Sequence, residues 1–226
     1  MAIDLPAHGG TPPSDDPSVD AMAEVVADLC DGLGLGQVDL VGNDTGGAIA
    51  QIFAARHPDK LRALTLTNCD TEGNFPPPGF APVIEAARQG QLAAAMVAIA
   101  NDPASWRTSP LADLYEDPAR VPDEVWRSYY TPIGGTIDRA REFERMLAAL
   151  DSGDLSEVSA ALRTLEVPTL LVWGTGDAAF GLEWAYQLQK MIPGAREVIE
   201  IEGAKLFFPE ERPGDLVPHL RSFWGR

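Results

Sequence analysis

The stretch that decides the fold is Val38-Asp39-Leu40-Val41-Gly42-Asn43-Asp44-Thr45-Gly46-Gly47. Its first half is a short apolar run, typical of a buried strand, and the helical pattern Gly46–His57 follows at once. A strand that turns directly into a helix strains the backbone of its apex residue and leaves little room for Cβ atoms two residues before and after it. Gly42 and Gly46 occupy those two positions, so we predict that Asp44 is the apex.

Outward from this turn, apolar runs and helical patterns alternate along the chain. Further strands are predicted at Met1–Leu5, Leu64–Thr67, Thr169–Trp173 and Glu197–Ile201, and a helix at Ala21–Leu33. Such alternation predicts an α/β protein with a mostly parallel sheet that helices cover on both faces.

Residues 73–165 interrupt the alternation, because they contain helical patterns and no convincing strand. Helices are predicted over Val83–Ile99, Pro122–Tyr130 and Thr136–Leu150, and the proline-dense segment Asn74–Gly79 is typical of a linker. We therefore predict a core domain of residues 1–70 and 166–226 and a helical cap domain of residues 71–165.

Charge and cysteine content argue against several kinds of partner. The chain has 34 acidic and 17 basic residues and a formal net charge of −17, which would repel the phosphates of a nucleic acid. The two cysteines lack CxxC or zinc-ligand spacing, and no apolar run is long enough to span a membrane. The first residues also lack the pattern of a secretory signal. We expect a soluble cytoplasmic protein without metal, membrane or nucleic acid.

Several motifs together resemble the α/β-hydrolase fold superfamily, and specifically its aspartate-nucleophile branch of haloalkane dehalogenases and epoxide hydrolases. Besides the turn at Asp44, these motifs are the loop Asp4–Gly9, the helix end Ala54–Pro58, and the strand and turn Thr169–Asp177. The resemblance covers essentially the whole chain. It implies the α/β-hydrolase fold with a helical cap, beginning at the family's fourth strand, so that the family's N-terminal strands are missing.

The same resemblance implies a chemistry for the turn. The Asp44 carboxylate would attack a carbon bearing a halide or an epoxide oxygen in a hydrophobic small molecule, and water would hydrolyse the resulting ester. Asp177 would be the acid that orients a catalytic base, and the Thr45 amide would supply an oxyanion-hole N–H group. This chemistry needs no cofactor.

The family's catalytic histidine has no counterpart in the loop where it is expected. That loop reads Gly203-Ala204-Lys205-Leu206-Phe207, so Lys205 or Leu206 occupies the histidine position. The chain's three histidines, His8, His57 and His219, lie in other segments. Hydrolysis of the ester therefore lacks its obvious base, and Lys205 is a substitute only if burial lowers its pKa.

The substrate pocket is expected to combine residues of both predicted domains. The family's well-known dehalogenases follow the nucleophile with a tryptophan that holds the halide, whereas Thr45 stands there in this chain. An indole would then come from elsewhere, from Trp106, Trp126 or Trp173. Epoxide hydrolases instead use cap tyrosines as general acids, and the cap offers Tyr115, Tyr129 and Tyr130. At most one of the adjacent Tyr129 and Tyr130 would face Asp44. The other pocket residues are expected to be Asn43, Phe180, Leu206 and Phe207.

Two functions remain open at this stage. The first is a hydrolase that uses Asp44 as its nucleophile. The second is a protein that does not hydrolyse: it binds a metabolite, or it uses Asp44 as an acid or base for isomerisation, cyclisation or elimination. Either the chain is a fragment of a longer protein, or the missing strands leave a slot that direct pairing of Met1–Leu5 with Val38–Gly42, strand exchange or a homo-oligomer would fill.

Overall fold

The computed structural model describes residues 1–151 and 153–225. Their contacts form two compact units: a helical unit of Met1–Met22 with Pro78–Leu150, and a sheet unit of Ala23–Pro77 with Asp151–Arg226. In chain order the elements are α1 Val19–Gly32, β1 Val38–Asp44, α2 Thr45–Arg56, β2 Leu61–Cys69, α3 Ala81–Arg88, α4 Ala93–Ala100, α5 Asp123–Gly134, α6 Ile137–Ala149, α7 Gly153–Leu162, β3 Thr169–Gly174, α8 Leu182–Met191, β4 Ala195–Ile201, α9 Phe208–Glu211 and α10 Pro213–Trp224. Short 3₁₀ helices lie at Pro58–Lys60, Pro78–Phe80, Trp106–Thr108 and Pro110–Leu114.

Within the described residues, the sheet unit contains one parallel sheet of four strands in the order β1-β2-β3-β4. Of the two inner strands, β3 is buried along its whole length, and α2 is buried from Gly47 to Ala54. The prediction of a parallel sheet flanked by helices is confirmed. Because all four strands run the same way, their carboxyl ends meet at one edge, which is where such sheets present functional side chains.

The final helix, α10, packs an apolar stripe against the sheet. Leu216, Leu220 and Phe223 of α10 are buried in a cluster with Leu170 and Val172 of β3. Burying such side chains contributes about 1.5–3 kcal/mol each, so this helix fixes one face of the sheet.

The predicted strand Met1–Leu5 does not form. Met1 is 90% exposed and Ile3 is 37% exposed, and the segment leads into turns in which Asp4 accepts a hydrogen bond from the Thr11 hydroxyl at 2.6 Å. β1 pairs only with β2 among the described residues, so direct pairing of the first residues with Val38–Gly42 is also not observed. A strand needs a neighbour for its backbone groups, and this apolar run has none here.

The helical unit differs from prediction at one helix. Val83–Ile99 is two helices, α3 and α4, because Gly90 adopts a positive φ of 68° and ends the first of them. By contacts residues 1–22 group with residues 78–150, so the unit's bounds differ from those of the predicted cap. No helix in the described parts of the chain has both the length and the apolar character needed to cross a membrane.

Candidate active site

Asp44 is the last residue of β1, and α2 begins at the next residue. Its backbone has φ 55° and ψ −135°, a conformation that residues with a side chain rarely adopt. Holding it costs about 1–3 kcal/mol, and such strain is concentrated at functional positions. The turn therefore presents a carboxyl at the edge of the sheet, as the sequence predicted.

Glycines make this turn possible, but they are not both the ones that the sequence indicated. A Cβ on Gly42 would lie 2.6 Å from the carbonyl oxygen of Gly46, so Gly42 is required as predicted. A Cβ on Gly46 would meet nothing within 4 Å. The second required glycine is Gly47, where a Cβ would lie 2.2 Å from the Cβ of Cys69 on β2.

Three carboxyl groups lie at the carboxyl ends of adjacent strands. Asp44 ends β1, Asp70 directly follows β2, and Asp177 lies in the turn after β3. Burial, together with the nearby charge of Asp177, raises the pKa of Asp44 from 3.8 to about 6, against a hydrogen bond from the Thr45 amide. The amide predicted for an oxyanion hole thus contacts the Asp44 carboxyl itself. In the described ranges, no group of three or more His, Cys, Asp or Glu residues is arranged to hold a metal ion.

The Asp177 carboxylate accepts three hydrogen bonds within the sheet unit. Its Oδ1 accepts bonds from the amides of Ala179 at 2.8 Å and Phe180 at 3.1 Å, and its Oδ2 accepts one from Asn68 Nδ2 at 3.0 Å. Burial raises the pKa of Asp177, while these bonds and the charge of Lys205 act in the opposite direction. The geometry suits a fixed, orienting carboxylate.

Asp70 is a site residue that sequence reasoning missed. Its side chain accepts a hydrogen bond from Thr45, and burial followed by the charge of Asp44 raises its pKa well above the usual 3.8. The available signal was its position, since a polar residue directly after a strand of a parallel sheet lies at the same edge as Asp44.

The loop after β4 lies beside the turn without supplying an imidazole. The carbonyl oxygen of Leu206 accepts a hydrogen bond from Asn43 Nδ2 at 3.2 Å, and the Leu206 side chain is buried. Lys205 is half-buried, and its charge acts on Asp177. Phe207, also half-buried, precedes α9. Asn43 and Leu206 are therefore brought to the turn, although the Leu206 contact is through its backbone.

The two histidines of the sheet unit have other surroundings. His57 caps the far end of α2, about 18 Å from the turn at 1.5 Å per residue, and its Nε2 lies 3.2 Å from Glu24. His219 of α10 lines a surface cleft with Glu200, Arg212 and Asp215. In the helical unit, His8 Nδ1 lies 3.0 Å from the carbonyl oxygen of Pro6. Neither sheet-unit histidine takes the place of the missing base.

The aromatic residues predicted for the pocket are mostly part of the helical unit's own core. Trp106, Trp126 and Tyr130 stack with ring-centroid distances of 6.1 and 6.4 Å, and all three are buried. The Trp106 indole donates to the carbonyl of Ile99 at 2.9 Å, whereas the buried Trp126 indole N–H has no partner among the described residues. Tyr129 is half-buried. Pocket roles for these four residues stay predictions.

Phe180 of the sheet unit lies directly beside the acid. Its amide donates to Asp177, its carbonyl accepts a bond from the Trp173 indole at 2.8 Å, and its side chain is buried. Its placement next to Asp177 follows from the turn after β3. A contact with substrate stays a prediction.

The edge of the sheet carries Asp44 at a strained strand-to-helix turn and a second acid, Asp177, after β3. This arrangement defines a class of proteins. The family model of the alpha/beta hydrolase fold matches residues 1–212, and the chain belongs to that family.

Relatives within the family have different activities in their names. A pimeloyl-[acyl-carrier protein] methyl ester esterase of Neisseria meningitidis is 28% identical over 88% of this chain and 59% of its own length. Epoxide hydrolase 1 of Caenorhabditis elegans is 24% identical over 92% of this chain and 53% of its own length. The chain thus spans little more than half of these relatives. The solved epoxide hydrolase CorEH, at 21% identity, has a TM-score of 0.74 and is matched over 98% of this chain and 80% of its own.

Proposed function

We propose that this protein is a hydrolase that opens an epoxide, or displaces a halide, in a hydrophobic small molecule through Asp44 as nucleophile. The observation that carries the proposal is the Asp44 carboxyl at a strained apex, contacted by the Thr45 amide. A carboxylate at such a turn can attack an sp³ carbon and form an ester, whereas ordinary ester hydrolysis uses a serine there.

Epoxides are the favoured substrate class of this proposal. Thr45 follows the nucleophile, so no tryptophan offers an indole at that point for a halide. Two of the proteins compared above carry the name epoxide hydrolase. An opening epoxide also needs a proton on its oxygen, which a general acid at the site would supply.

A second candidate function has its own supporting observation. Neither histidine of the sheet unit lies at the turn, so the base that would hydrolyse an Asp44 ester is not an imidazole of that unit. A carboxyl with a pKa of about 6 can itself act as an acid or base near neutral pH. Isomerisation or elimination through Asp44 would then occur without any ester.

A trapping experiment separates the two functions. Incubation with a styrene-type epoxide should add the mass of the whole epoxide to the peptide that contains Asp44, and a bromoalkane should add its alkyl group with release of bromide. Neither should modify any peptide of Asp44→Asn. Turnover in ¹⁸O-labelled water should place the label first in Asp44 and then in the product. The matched control is Asp138→Asn, whose side chain is 85% exposed in the helical unit and should leave the adduct unchanged.

The contrary outcome is also defined. Product formed without label and without an adduct on Asp44 supports the acid or base function. No adduct with any probe, together with equal affinity of wild type and Asp44→Asn for these compounds, contradicts a role for Asp44 as nucleophile.

A further inference from the structure

Asp70 is a buried carboxyl that the proposed reaction has not yet used. It is 1% exposed, compared with 8% for Asp177. Its amide donates to the carbonyl of Asp44 at 3.4 Å, and its carbonyl accepts a bond from Gln51 Nε2 at 2.7 Å. Its backbone is therefore fixed to both β1 and α2, directly beside the turn.

The side chain of Asp70 lacks what a buried carboxylate requires. A buried carboxylate needs several donors or a cation, because its desolvation costs several kcal/mol. Asp70 accepts one hydrogen bond, from Thr45, and its Oδ1 has no partner among residues 1–151 and 153–225. Within the same residues no lysine, arginine or histidine forms an ion pair with it, whereas Asp177 has three donors.

The neutral acid is the form that suits this environment. A protonated carboxyl brings its own O–H donor, and two further buried oxygens in this region, Gln51 Oε1 and Thr71 Oγ1, also lack partners in the described part of the chain. The Gln51 side chain already contacts the Asp70 backbone. A protonated Asp70 thus brings a donor to a region in which the acceptor Gln51 Oε1 has no partner among the described residues.

The charged groups around Asp70 also favour its neutral, protonated form. The Asp44 charge, from the β1-α2 turn, raises the pKa of Asp70, and burial raises it more. The neighbouring Cys69 thiol has a raised pKa as well and brings no positive charge. Asp177, after β3, is a further carboxyl, and the Lys205 charge, after β4, acts on Asp177. Among the described residues no cation offsets Asp70.

We propose that Asp70 is held as a neutral carboxylic acid beside Asp44 and that, through the Thr45 hydroxyl, it gives a proton to the substrate oxygen and later recovers one from water. This inference rests on the proposed function. It supplies within the sheet unit the acid and base that an imidazole would otherwise provide.

The proton and bond changes balance over the two steps. In the first, the O–H of the neutral Asp70 donates to Thr45 Oγ1, and the Thr45 hydroxyl, which would donate to an ionised Asp70, is turned to the substrate. An Asp44 oxygen bonds to the epoxide carbon and the ring C–O bond breaks, while the Asp70 proton passes to Thr45 and the Thr45 proton passes to the released oxygen. In the second, water attacks the carbonyl carbon of the Asp44 ester and loses one proton through Thr45 to Asp70. The ester C–O bond then breaks, and the other water proton leaves on the alcohol. Water is the co-reactant.

The protonation of Asp70 is tested without substrate by infrared difference spectroscopy near pH 7.5. Wild type should show the C=O band of a protonated carboxyl group that Asp70→Asn lacks and that the exposed control Asp138→Asn retains. Identical spectra of wild type and a folded Asp70→Asn protein in this region overturn the inference. Circular dichroism and the melting temperature establish that each variant is folded.

The relay is tested by single turnover with a styrene-type epoxide. Asp70→Asn should slow both formation and decay of the Asp44 ester by on the order of 100-fold, the usual contribution of a general acid or base. Thr45→Val should act in the same direction, and Thr45→Ser, which restores a hydroxyl, should recover at least about tenfold of that loss relative to Thr45→Val. This pair decides the matter if Asp70→Asn fails to fold. Wild-type rates in Asp70→Asn and Thr45→Val overturn the relay. If wild type forms neither ester nor diol, the proposed function fails and the relay fails with it. Even then, an infrared carboxyl band that is present in wild type and absent in Asp70→Asn supports the neutral state of Asp70.

Discussion

Asn68 on β2 donates a hydrogen bond from Nδ2 to Asp177 Oδ2 at 3.0 Å, and its Oδ1 accepts one from the amide of Gly174 at 2.6 Å. One buried amide side chain thus holds the end of β3 and the acid that follows it. The position of Asp177 depends on a neighbouring strand and not only on its own turn.

Asn68→Asp should destabilise the protein by about 2–4 kcal/mol near pH 8, because it places a second carboxyl against Asp177 and removes the donor between them. Mutual repulsion raises the folded-state pKa of such a pair, so the loss should be smaller at pH 5, where one of the two is more readily protonated. Urea unfolding at both pH values measures the difference. Asn101→Asp makes the same change at an exposed residue. It loses the bond from Asn101 Nδ2 to the carbonyl of Val97 and places a negative charge at the end of α4, so it should cost up to about 1 kcal/mol, well below the loss at Asn68. Equal losses at the two sites would refute the role given to Asn68.

The pKa of Asp44 predicts a pH dependence of the first chemical step. Because only the carboxylate attacks and its pKa is about 6, formation of the Asp44 ester should fall about tenfold per pH unit below pH 6 and level off above it. Stopped mixing with a styrene-type epoxide, followed by mass measurement of the protein, gives this rate. A rate independent of pH between 5 and 8 contradicts the assignment.

The raised pKa of Asp44 also predicts how stability depends on pH. Stability should fall as pH rises, whereas the rate of ester formation should rise. The folded-state pKa of Asp44 lies above its ordinary value of 3.8, so the folded protein binds this proton more tightly than the unfolded chain. Its contribution to stability is therefore lost as pH rises from about 4 to about 6. Asp44→Asn removes this dependence and should be more stable than wild type by about 1–3 kcal/mol at pH 8, with a smaller difference at pH 4. Denaturant unfolding at the two pH values decides it.

Gly47→Ala should destabilise the protein by about 2–4 kcal/mol, because its new Cβ would lie 2.2 Å from the Cβ of Cys69. Gly46→Ala is the matched control: its Cβ meets nothing, and alanine is the better helix former, so stability should rise by up to about 1 kcal/mol. Thermal unfolding of both variants measures the contrast. Equal effects of the two substitutions would show that the contact with Cys69 is not the reason that position 47 requires glycine.

Lys205→His tests whether the missing imidazole limits the second step of the proposed reaction. Lys205 already acts on the charge of Asp177, so an imidazole there should have an acid to orient it. We expect the decay of the Asp44 ester to accelerate by at least about tenfold, while Lys205→Arg, which keeps the charge, leaves it unchanged. Decay of the trapped ester, followed by mass spectrometry, reports the rate. No gain in a folded Lys205→His protein would mean that position 205 does not reach the ester.

The sequence alone determined the parallel sheet, the turn and the identity of its apex residue. These features follow from patterns within a few neighbouring residues: apolar runs, helical periodicity and the glycines around Asp44. The position of Asp177 after β3 was also predictable, because parallel strands bring their carboxyl ends to one edge.

Only the tertiary structure decided how these pieces meet. It selected Gly47 over Gly46 because Cys69, from another strand, lies against that helix. It left Met1–Leu5 without a pairing partner and brought Asp70 and Thr45 together beside Asp44. Contacts between segments far apart in the chain determine burial, and burial determines which carboxyl holds a proton; neither can be read from a local pattern.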